Sequence, residues 1–341
     1  MPRVVKEEPT REPAVVLAFP EQSEQLTLFD LGVDLVSLRR ERASLAERRR
    51  AQATREAYAC DWSDFCAWCG AAGRSSLPAS SDTLSLYLVD LARRGRLVST
   101  IQRRVSAISH YHLAAGLASP AGADVREVLC GLRRKLGTAP QRAKAAVSVD
   151  ELRKLLGAVS EGVRGVRDRA LLLLGFASSL RSAELVGLDL RDVAVERAGV
   201  VLTLRRSKTD QEGAGRQVGV HPGARKSTCP VRAVKAWLKE RGRWPGPLFC
   251  QVGADGAIER EALDSERVRK VVQRAARRAG LDGRRFGAHS LRAGFATAAA
   301  INGAPELAIM ERTGHRTVTM VRRYVRKGSV LAGANPLDGV L

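Results

Sequence analysis

The chain has 341 residues, of which 57 are lysine or arginine and 36 are aspartate or glutamate, so its formal net charge is +21 at pH 7. This length allows two domains with separate cores, and the positive excess favours a polyanion as the partner. No apolar run approaches the roughly 20 residues of a membrane span, and no secretory signal is visible. Six cysteines without a framework spacing indicate reduced thiols. These properties exclude a membrane-spanning or disulfide-stapled secreted protein.

Residues 1–33 mix prolines and charges without a sustained period, which predicts a disordered tail. Residues 34–137 are helical in pattern, beginning with a charged segment at 38–50 that is either a solvated helix or an arm along a polyanion. Four further helices are expected near 54–69, 81–95, 100–115 and 124–136, each with apolar residues at steps of three and four. The third of these also has a polar, basic side, which is typical of a helix that faces a DNA groove. The candidate DNA contacts of this domain are Gln102, Arg103, Arg104, Arg133 and Arg134.

A short basic stretch at 138–147 predicts a linker, and it contributes Arg142 and Lys144 as further candidate DNA contacts. A second domain is expected over 148–328. Its most apolar run, 168–180, predicts a central buried helix that is followed directly by Arg181. A charge at the end of a buried helix requires either an internal carboxylate or a bound anion. Glu184 is the candidate carboxylate, so a simple Arg–Glu pair and an anion site both remain open.

A hairpin is predicted by the apolar and β-branched residues at 192–204 and 217–220. Lys208 lies at or near its tip, where it is either a solvated lysine or a mobile cation that reaches a bound phosphate. A helix over 230–241 and a short strand over 248–250 follow. The segment 265–279 predicts a strongly basic amphipathic helix, whose candidate DNA contacts are Arg267, Arg269 and Lys270.

His289 and Arg292 stand three residues apart in an alanine-rich helical segment, so their side chains share one face. After a second helical piece, a further segment begins at His315 and ends at Tyr324, the last tyrosine of the chain. A phenol that is bracketed by histidine and arginine suggests a nucleophile facing a phosphate. The His-x-x-Arg pattern alone is weak, because a chain this basic produces about one by accident.

The order of these residues, from Arg181 through His289-x-x-Arg292 to Tyr324, resembles the tyrosine recombinase (phage integrase) family. The stretches TIQRR, SSLRSAEL and ERTGHRTVT are most similar to its Cre-like site-specific recombinases. The resemblance extends from about residue 54 to the C-terminus. It implies a mainly α fold with a small antiparallel β-sheet, arranged as a two-domain C-shaped clamp with a helical, SAM-like core-binding domain and a catalytic domain.

Family membership would assign a role to each candidate residue. The implied catalytic set is Arg181, Lys208, His289, Arg292, His315 and Tyr324. The two arginines and His315 would hold the phosphate oxygens, Tyr324 would attack the phosphorus, and Lys208 would protonate the leaving 5′ oxygen. His289 would be either a base or an orienting group, and Glu184 would hold Arg181. No metal or other cofactor is expected, since the sequence lacks the acidic cluster that holds two magnesium ions.

The same resemblance implies strand cleavage and rejoining through a covalent 3′-phosphotyrosyl intermediate and a Holliday junction. The implied partner is double-stranded DNA with inverted-repeat sites, bound by a dimer on each site and a tetramer in synapsis. Residues 329–341 would form a tail that docks in a neighbouring protomer, and a bacterial, phage or plasmid origin would place the protein in the cytoplasm, at the nucleoid. A noncatalytic DNA-binding regulator and a type IB topoisomerase or telomere resolvase are the alternatives.

Overall fold

The computed structural model describes residues 34, 36–38, 40–41, 52–138, 144–205, 215–315 and 317–329. These residues are mainly helical with two small antiparallel sheets, which confirms the predicted fold class. The chain divides into two compact units between Pro140 and Gln141. Within the described ranges no helix is long and apolar enough to cross a membrane. The tail 1–33, most of the charged segment 38–50, Arg142, Lys208 and the end of the chain after residue 329 lie outside these ranges, so the predictions for them stay predictions.

The first unit is built from four helices: α1 (Gln52–Ala71), α2 (Ser81–Arg93), α3 (Val98–Ala114) and α4 (Ala123–Leu136). These bounds lie within a few residues of the segments that the apolar periodicity predicts. The Ser80 hydroxyl accepts a hydrogen bond from the Thr83 amide and so caps the start of α2. The apolar faces meet in one core that includes Phe65, Leu84, Tyr87, Leu88, Ile101, Ile108 and Val125.

Arg104 of α3 lies inside this unit rather than on its surface. It is 7% exposed and donates from Nη1 to the Asp64 carboxylate and the Tyr87 hydroxyl. A second carboxylate, Asp61, lies 3.5 Å from its Nε. A buried guanidinium is tolerated because carboxylates compensate its charge, and these two come from α1, about forty residues earlier in the chain. Arg104 therefore lies in the core, and its contact with DNA stays a prediction.

The described part of the second unit contains eight helices and five strands. They are α5 (Val149–Gly157), α6 (Gly162–Ser178), α7 (Ser182–Val186), β1 (Val193–Val195), β2 (Val200–Leu204), β3 (Arg216–Val220), α8 (Pro230–Arg241), β4 (Cys250–Val252), β5 (Ile258–Ala262), α9 (Ser265–Arg278), α10 (Ala288–Ile301), α11 (Glu306–Thr313) and α12 (Val318–Ser329). Strands β1, β2 and β3 form an antiparallel sheet in that order, with Leu204 opposite Arg216. Strands β4 and β5 form a separate antiparallel pair.

Helix α6 is the centre of the second unit, as its apolar run predicts. Leu171, Leu172 and Leu174 are fully buried in the main core. Helix α10 approaches this region closely at Gly294, where an added Cβ would lie 2.2 Å from the Val147 carbonyl oxygen. Only glycine fits at that approach. The contact fixes α10, and with it His289 and Arg292, against the rest of the unit.

Candidate active site

The turn after α6 delivers Arg181 to the site. Ser179 adopts a left-handed conformation (φ 57°), which is uncommon for a residue with a side chain and typical of functional sites. Arg181 directly precedes α7, and its backbone amide donates to Glu184 Oε2 (2.9 Å) while its Nη1 donates to Glu184 Oε1 (2.6 Å). Arg181 Nη2 also donates to the Gly314 carbonyl (3.4 Å). Glu184 therefore caps α7 and orients the arginine at the same time.

Arg292 of α10 is 1% exposed, although it carries a full charge. Its Nη1 donates to the Ser179 carbonyl (2.8 Å) and its Nη2 to His315 Nε2 (3.1 Å). Burial, followed by the nearby Arg181, lowers the pKa of Arg292 to about 10, so it remains a cation at pH 7. Among the described residues no carboxylate forms a hydrogen bond with it. A buried cation of this kind is stabilised by any anion that reaches it.

His315 follows the C-terminus of α11. Since Arg292 donates to Nε2, the hydrogen-bond network assigns the ring proton to Nδ1, which donates to the Thr313 hydroxyl (2.7 Å). The Thr313 hydroxyl in turn donates to the Ile309 carbonyl (2.7 Å). Burial and the charges of Arg292 and Arg181 lower the pKa of His315 to about 4. The imidazole is therefore neutral and fixed in one tautomer at pH 7.

Tyr324 of α12 faces His289 across a short gap. The distance from the phenol oxygen to His289 Nε2 is 3.0 Å. Burial and the charges of Arg292 and Arg181 lower the pKa of His289, so its imidazole is neutral and able to accept the phenol proton. The Tyr324 and His315 rings are stacked at 28°, with centroids 5.7 Å apart. The structure thus brings a tyrosine, two histidines and two arginines into one cluster.

Arg216, the first residue of β3, belongs to this cluster and is missing from the sequence prediction. Its Nη1 donates to the carbonyls of Glu311 and Arg312 (3.2 Å each) at the end of α11. Its Nη2 lies 3.9 Å from Glu184 Oε2. Burial lowers the pKa of Arg216, and the neighbouring cations Arg181 and Arg312 lower it further against the opposing effect of Glu184.

The Arg216 guanidinium also lies against Gly314. An added Cβ at Gly314 would be 3.2 Å from Arg216 Cζ, and Gly314 has a left-handed φ of 62°. Glycine is therefore favoured there, both by its backbone conformation and by the close approach of Arg216. A signal for Arg216 does exist in the sequence, because it shares one strand face with the buried Val218 and Val220. An arginine on the buried face of a strand is expected to bind groups inside the protein rather than solvent.

The predicted DNA contacts of the first unit, other than Arg104, lie on α3 and α4. Arg103 is half exposed and donates to both oxygens of Asp61 (2.8 and 2.9 Å). Arg133 and Arg134 are exposed, and the Gln102 amide oxygen, assigned toward Arg133, accepts from its Nη2 (2.5 Å). Contact of these four residues with DNA stays a prediction.

The predicted DNA contacts of the second unit separate into different environments. Lys144 donates from Nζ to the Arg284 carbonyl (2.6 Å). On α9, Arg269 pairs with Glu266 and donates to Gln273 Oε1 (2.7 Å). Arg267 and Lys270 instead line a cavity on another side of the helix. The three α9 cations therefore lie on different sides of the helix, and their contact with DNA stays a prediction.

Comparison with known proteins identifies the class. Residues 146–329 match the phage integrase family. The chain is 38% identical over 300 residues to an integrase/recombinase xerD homolog of Selenomonas ruminantium, covering 85% of this chain and 87% of that protein. It is 27% identical over 290 residues to recombinase cre of Escherichia phage P1, covering 79% and 82% of the two chains. The chain belongs to the phage integrase family and is a tyrosine site-specific recombinase, as the order of its candidate residues predicts.

Two solved structures have a similar fold. A lambda integrase dimer bound to a core site has a TM-score of 0.55 and 18% identity, over 84% of this chain and 93% of that chain. The XerH site-specific recombinase in a post-cleavage complex with its difH substrate has a TM-score of 0.53 and 19% identity, over 82% and 75%. At these identities the comparison supports the fold, and the chemistry is argued from the site itself.

Proposed function

We propose that this recombinase cleaves and rejoins double-stranded DNA through a covalent bond between Tyr324 and a 3′ phosphate. The observation that carries the proposal is the 3.0 Å contact between the Tyr324 phenol and His289 Nε2, beside two arginines. A phenol that is held against a neutral imidazole is prepared to lose its proton. The nearby guanidinium groups supply the positive charge that a phosphoryl-transfer transition state requires.

In the cleavage step, Tyr324 Oη forms a bond to phosphorus while the bond from phosphorus to the 5′ oxygen breaks. The phenol proton passes to His289 Nε2, so His289 acts as the base rather than only as an orienting group. Lys208, in the connection between β2 and β3, gives a proton to the leaving 5′ oxygen. The bond energy is kept in the phosphotyrosyl ester, and a 5′ hydroxyl from another strand reverses the reaction to rejoin DNA.

Arg181 and Arg292 hold the two non-bridging oxygens of the phosphate. Forked guanidinium hydrogen bonds suit this task because they match the geometry of phosphate oxygens. Glu184 keeps Arg181 in place through two hydrogen bonds. His315 gains a negatively charged neighbour when the phosphate binds, which raises its pKa and allows it to donate as well. These protein groups supply the required charge without a metal ion or another cofactor.

We further propose that the partner DNA carries inverted repeats, that two protomers bind one site, and that four exchange strands through a Holliday junction. The tail at 329–341 would support this assembly by docking in a neighbouring protomer. The same proposal places the protein in the cytoplasm, where it acts on bacterial, phage or plasmid DNA. The family membership and the 38% identity to a xerD homolog support it.

The experiment is the capture of a covalent adduct. The full chain is incubated with a library of nicked duplexes that contain random half-sites, and adducts that survive denaturation are purified and their DNA is sequenced. We expect a DNA site to be enriched with wild-type protein and no adduct to form with Tyr324→Phe. The nick lets the 5′ product diffuse away and so traps the intermediate.

The outcomes separate the proposal from its alternatives. Specific DNA binding without any adduct would identify a noncatalytic regulator and contradict the proposal. Relaxation of supercoiled DNA without recombinant products would identify a topoisomerase. Recombinant products from two selected sites, lost in Tyr324→Phe, would support the complete reaction.

A further inference from the structure

A second cluster of cations lies away from Tyr324, around a cavity between α6, β4 and α9. The cavity has a volume of about 290 Å³. Its cationic lining residues are Arg164, Arg167, Arg267, Lys270 and Arg274. Nothing in the reaction proposed above uses these five side chains.

The carboxylates near the cavity compensate only part of this charge. Asp168 is buried and is shared between Arg167 Nη2 (2.7 Å) and Arg274 Nη2 (2.6 Å). Asp264 lies 4.0 Å from Arg267, and both of these side chains are largely exposed. An exposed ion pair at this distance contributes little. The cavity therefore keeps a surplus of positive charge.

Several donor groups beside the cavity have no acceptor among the residues that the structure describes. Both hydrogen bonds of Arg164 within the described residues come from Nη2, to the carbonyls of Val252 (2.9 Å) and Gly253 (2.7 Å). Its Nε and Nη1 are left for a ligand. Arg274 likewise bonds only through Nη2 in the described part of the chain. The two arginines are held in place by these contacts, so their remaining donors are preorganised.

The cavity lies on one face of α9, and a different face of α9 borders α10, the helix that carries His289 and Arg292. Arg269 lies on that other face, 3.7 Å from where a Cβ of Gly287 would stand, just before α10. Arg267, Lys270 and Arg274 are spaced at three and four residues, so they share a different face. Helix α9 thus separates the cluster at Tyr324 from the cavity.

We propose that this cavity is a phosphate-binding pocket, separate from the active site. Guanidinium donors on α6 and α9 approach from two sides, as a tetrahedral anion with several oxygens requires. The volume is several times that of one water molecule, so it accommodates a phosphate group. The phosphate comes either from the DNA backbone or from a free phosphate-bearing molecule. The existence of the pocket does not rest on the proposed recombination. Only the assignment of DNA as the source of the phosphate rests on it.

The test uses inorganic pyrophosphate as the probe and the full chain without DNA. Calorimetry at low salt measures its binding to wild type, to the double variant R267Q/K270Q, and to the control R277Q/R278Q. The control removes the same two charges from the same helix, at exposed positions outside the cavity lining. Because Arg181 and Arg292 are also proposed to hold a phosphate, we expect two sites in wild type. The affinity of one site should fall at least about tenfold in R267Q/K270Q, and neither site should change by more than about twofold in the control.

A second measurement needs no variant. Pyrophosphate is expected to protect Arg164 and Arg274 of the wild-type chain from modification by phenylglyoxal, read by mass spectrometry, while Arg278 remains reactive. Absence of saturable binding, an equal loss in both double variants, or equal protection of all three arginines would show only a diffuse basic surface and overturn the proposal.

A final arm identifies the source of the phosphate once the pocket is established. Pyrophosphate is titrated into the complex of the chain with its selected DNA site. Loss of pyrophosphate binding at the site that R267Q/K270Q weakens supports a backbone phosphate as the occupant. Unchanged binding at that site supports a free phosphate-bearing molecule. Failure of the recombination assay would leave the DNA-free titration interpretable, so the two proposals are tested separately.

Discussion

Arg216 offers the sharpest test of how the site is held together. It donates to the Glu311 and Arg312 carbonyls near the end of α11 and lies 3.9 Å from Glu184, which in turn fixes Arg181. Replacing it by alanine removes both hydrogen bonds to the segment that leads into His315. It also leaves a cavity beneath Gly314. We expect His315 and Arg181 to lose their fixed positions while the rest of the unit stays folded.

The magnitude follows from the contacts that are lost. A hydrogen bond from a charged donor contributes about 1.5–3 kcal/mol, and these two are long at 3.2 Å, so about 1 kcal/mol each is appropriate. A loss of about 2 kcal/mol in the transition state corresponds to a rate about 30-fold lower. Arg216→Lys keeps the charge near Glu184 but cannot donate in a fork, so it should recover only part of the rate.

The assay is single-turnover adduct formation on the selected nicked substrate, with DNA affinity and thermal unfolding measured on the same samples. Arg191→Ala is the matched control, because it removes an arginine that is 70% exposed and outside the cluster. The expected result is slower adduct formation in Arg216→Ala with DNA affinity within about threefold of wild type. A wild-type rate in Arg216→Ala, or an equal loss in Arg191→Ala, would refute the positioning role.

Three further predictions concern the site. If His289 is the base, His289→Gln slows adduct formation by about 10²–10⁴-fold. The wild-type rate should fall at acid pH, below pH 6.5 because the pKa of His289 is lowered, and this fall should disappear in the variant. Its persistence in the variant would exclude His289 as the base. The pKa of His315 is about 4 in the folded chain and 6.5 when unfolded, so its contribution to the free energy of unfolding is complete above pH 6.5 and lost as pH falls through 4. Urea unfolding measures this loss, and NMR titration measures the pKa of the imidazole. An NMR midpoint near 6.5 would contradict the prediction. Ser179→Gly should be more stable than Ser179→Ala by about 1 kcal/mol in thermal unfolding, because only glycine relieves the left-handed backbone; equal stabilities would argue against strain.

Local patterns predicted the helices and much of the cluster. Periodic apolar residues placed α1 to α4 and the buried α6, and the order of charged residues led to the set around Tyr324. These features depend on short-range spacing, which a sequence displays directly. Strand β5 (Ile258–Ala262) was missed because its three central residues are charged and exposed, so its sequence does not alternate. An edge strand of this kind has no hydrophobic pattern to reveal it.

The contacts of Arg104 and Arg216 could not be predicted, because their partners are distant in the chain. Arg104 resembled a surface cation, because nothing near it in the sequence shows that Asp61 and Asp64 neutralise it in the core. Arg216 was missed for the converse reason. Its position on the buried face of β3 indicates an internal role, but its acceptors, the carbonyls of Glu311 and Arg312, are about 95 residues away and cannot be identified from the sequence.

The anchoring of α12 has a consequence for how activity responds to heat. The helix that carries Tyr324 packs through Val321 into a small cluster with Ala296 and Ile309, which is distinct from the main core around α6. A small cluster opens at a lower free-energy cost than the core that the whole unit shares. Warming should therefore detach the nucleophile while the phosphate-holding arginines remain in place. Such a recombinase would lose cleavage reversibly below its melting temperature and regain it on cooling, as a thermal switch.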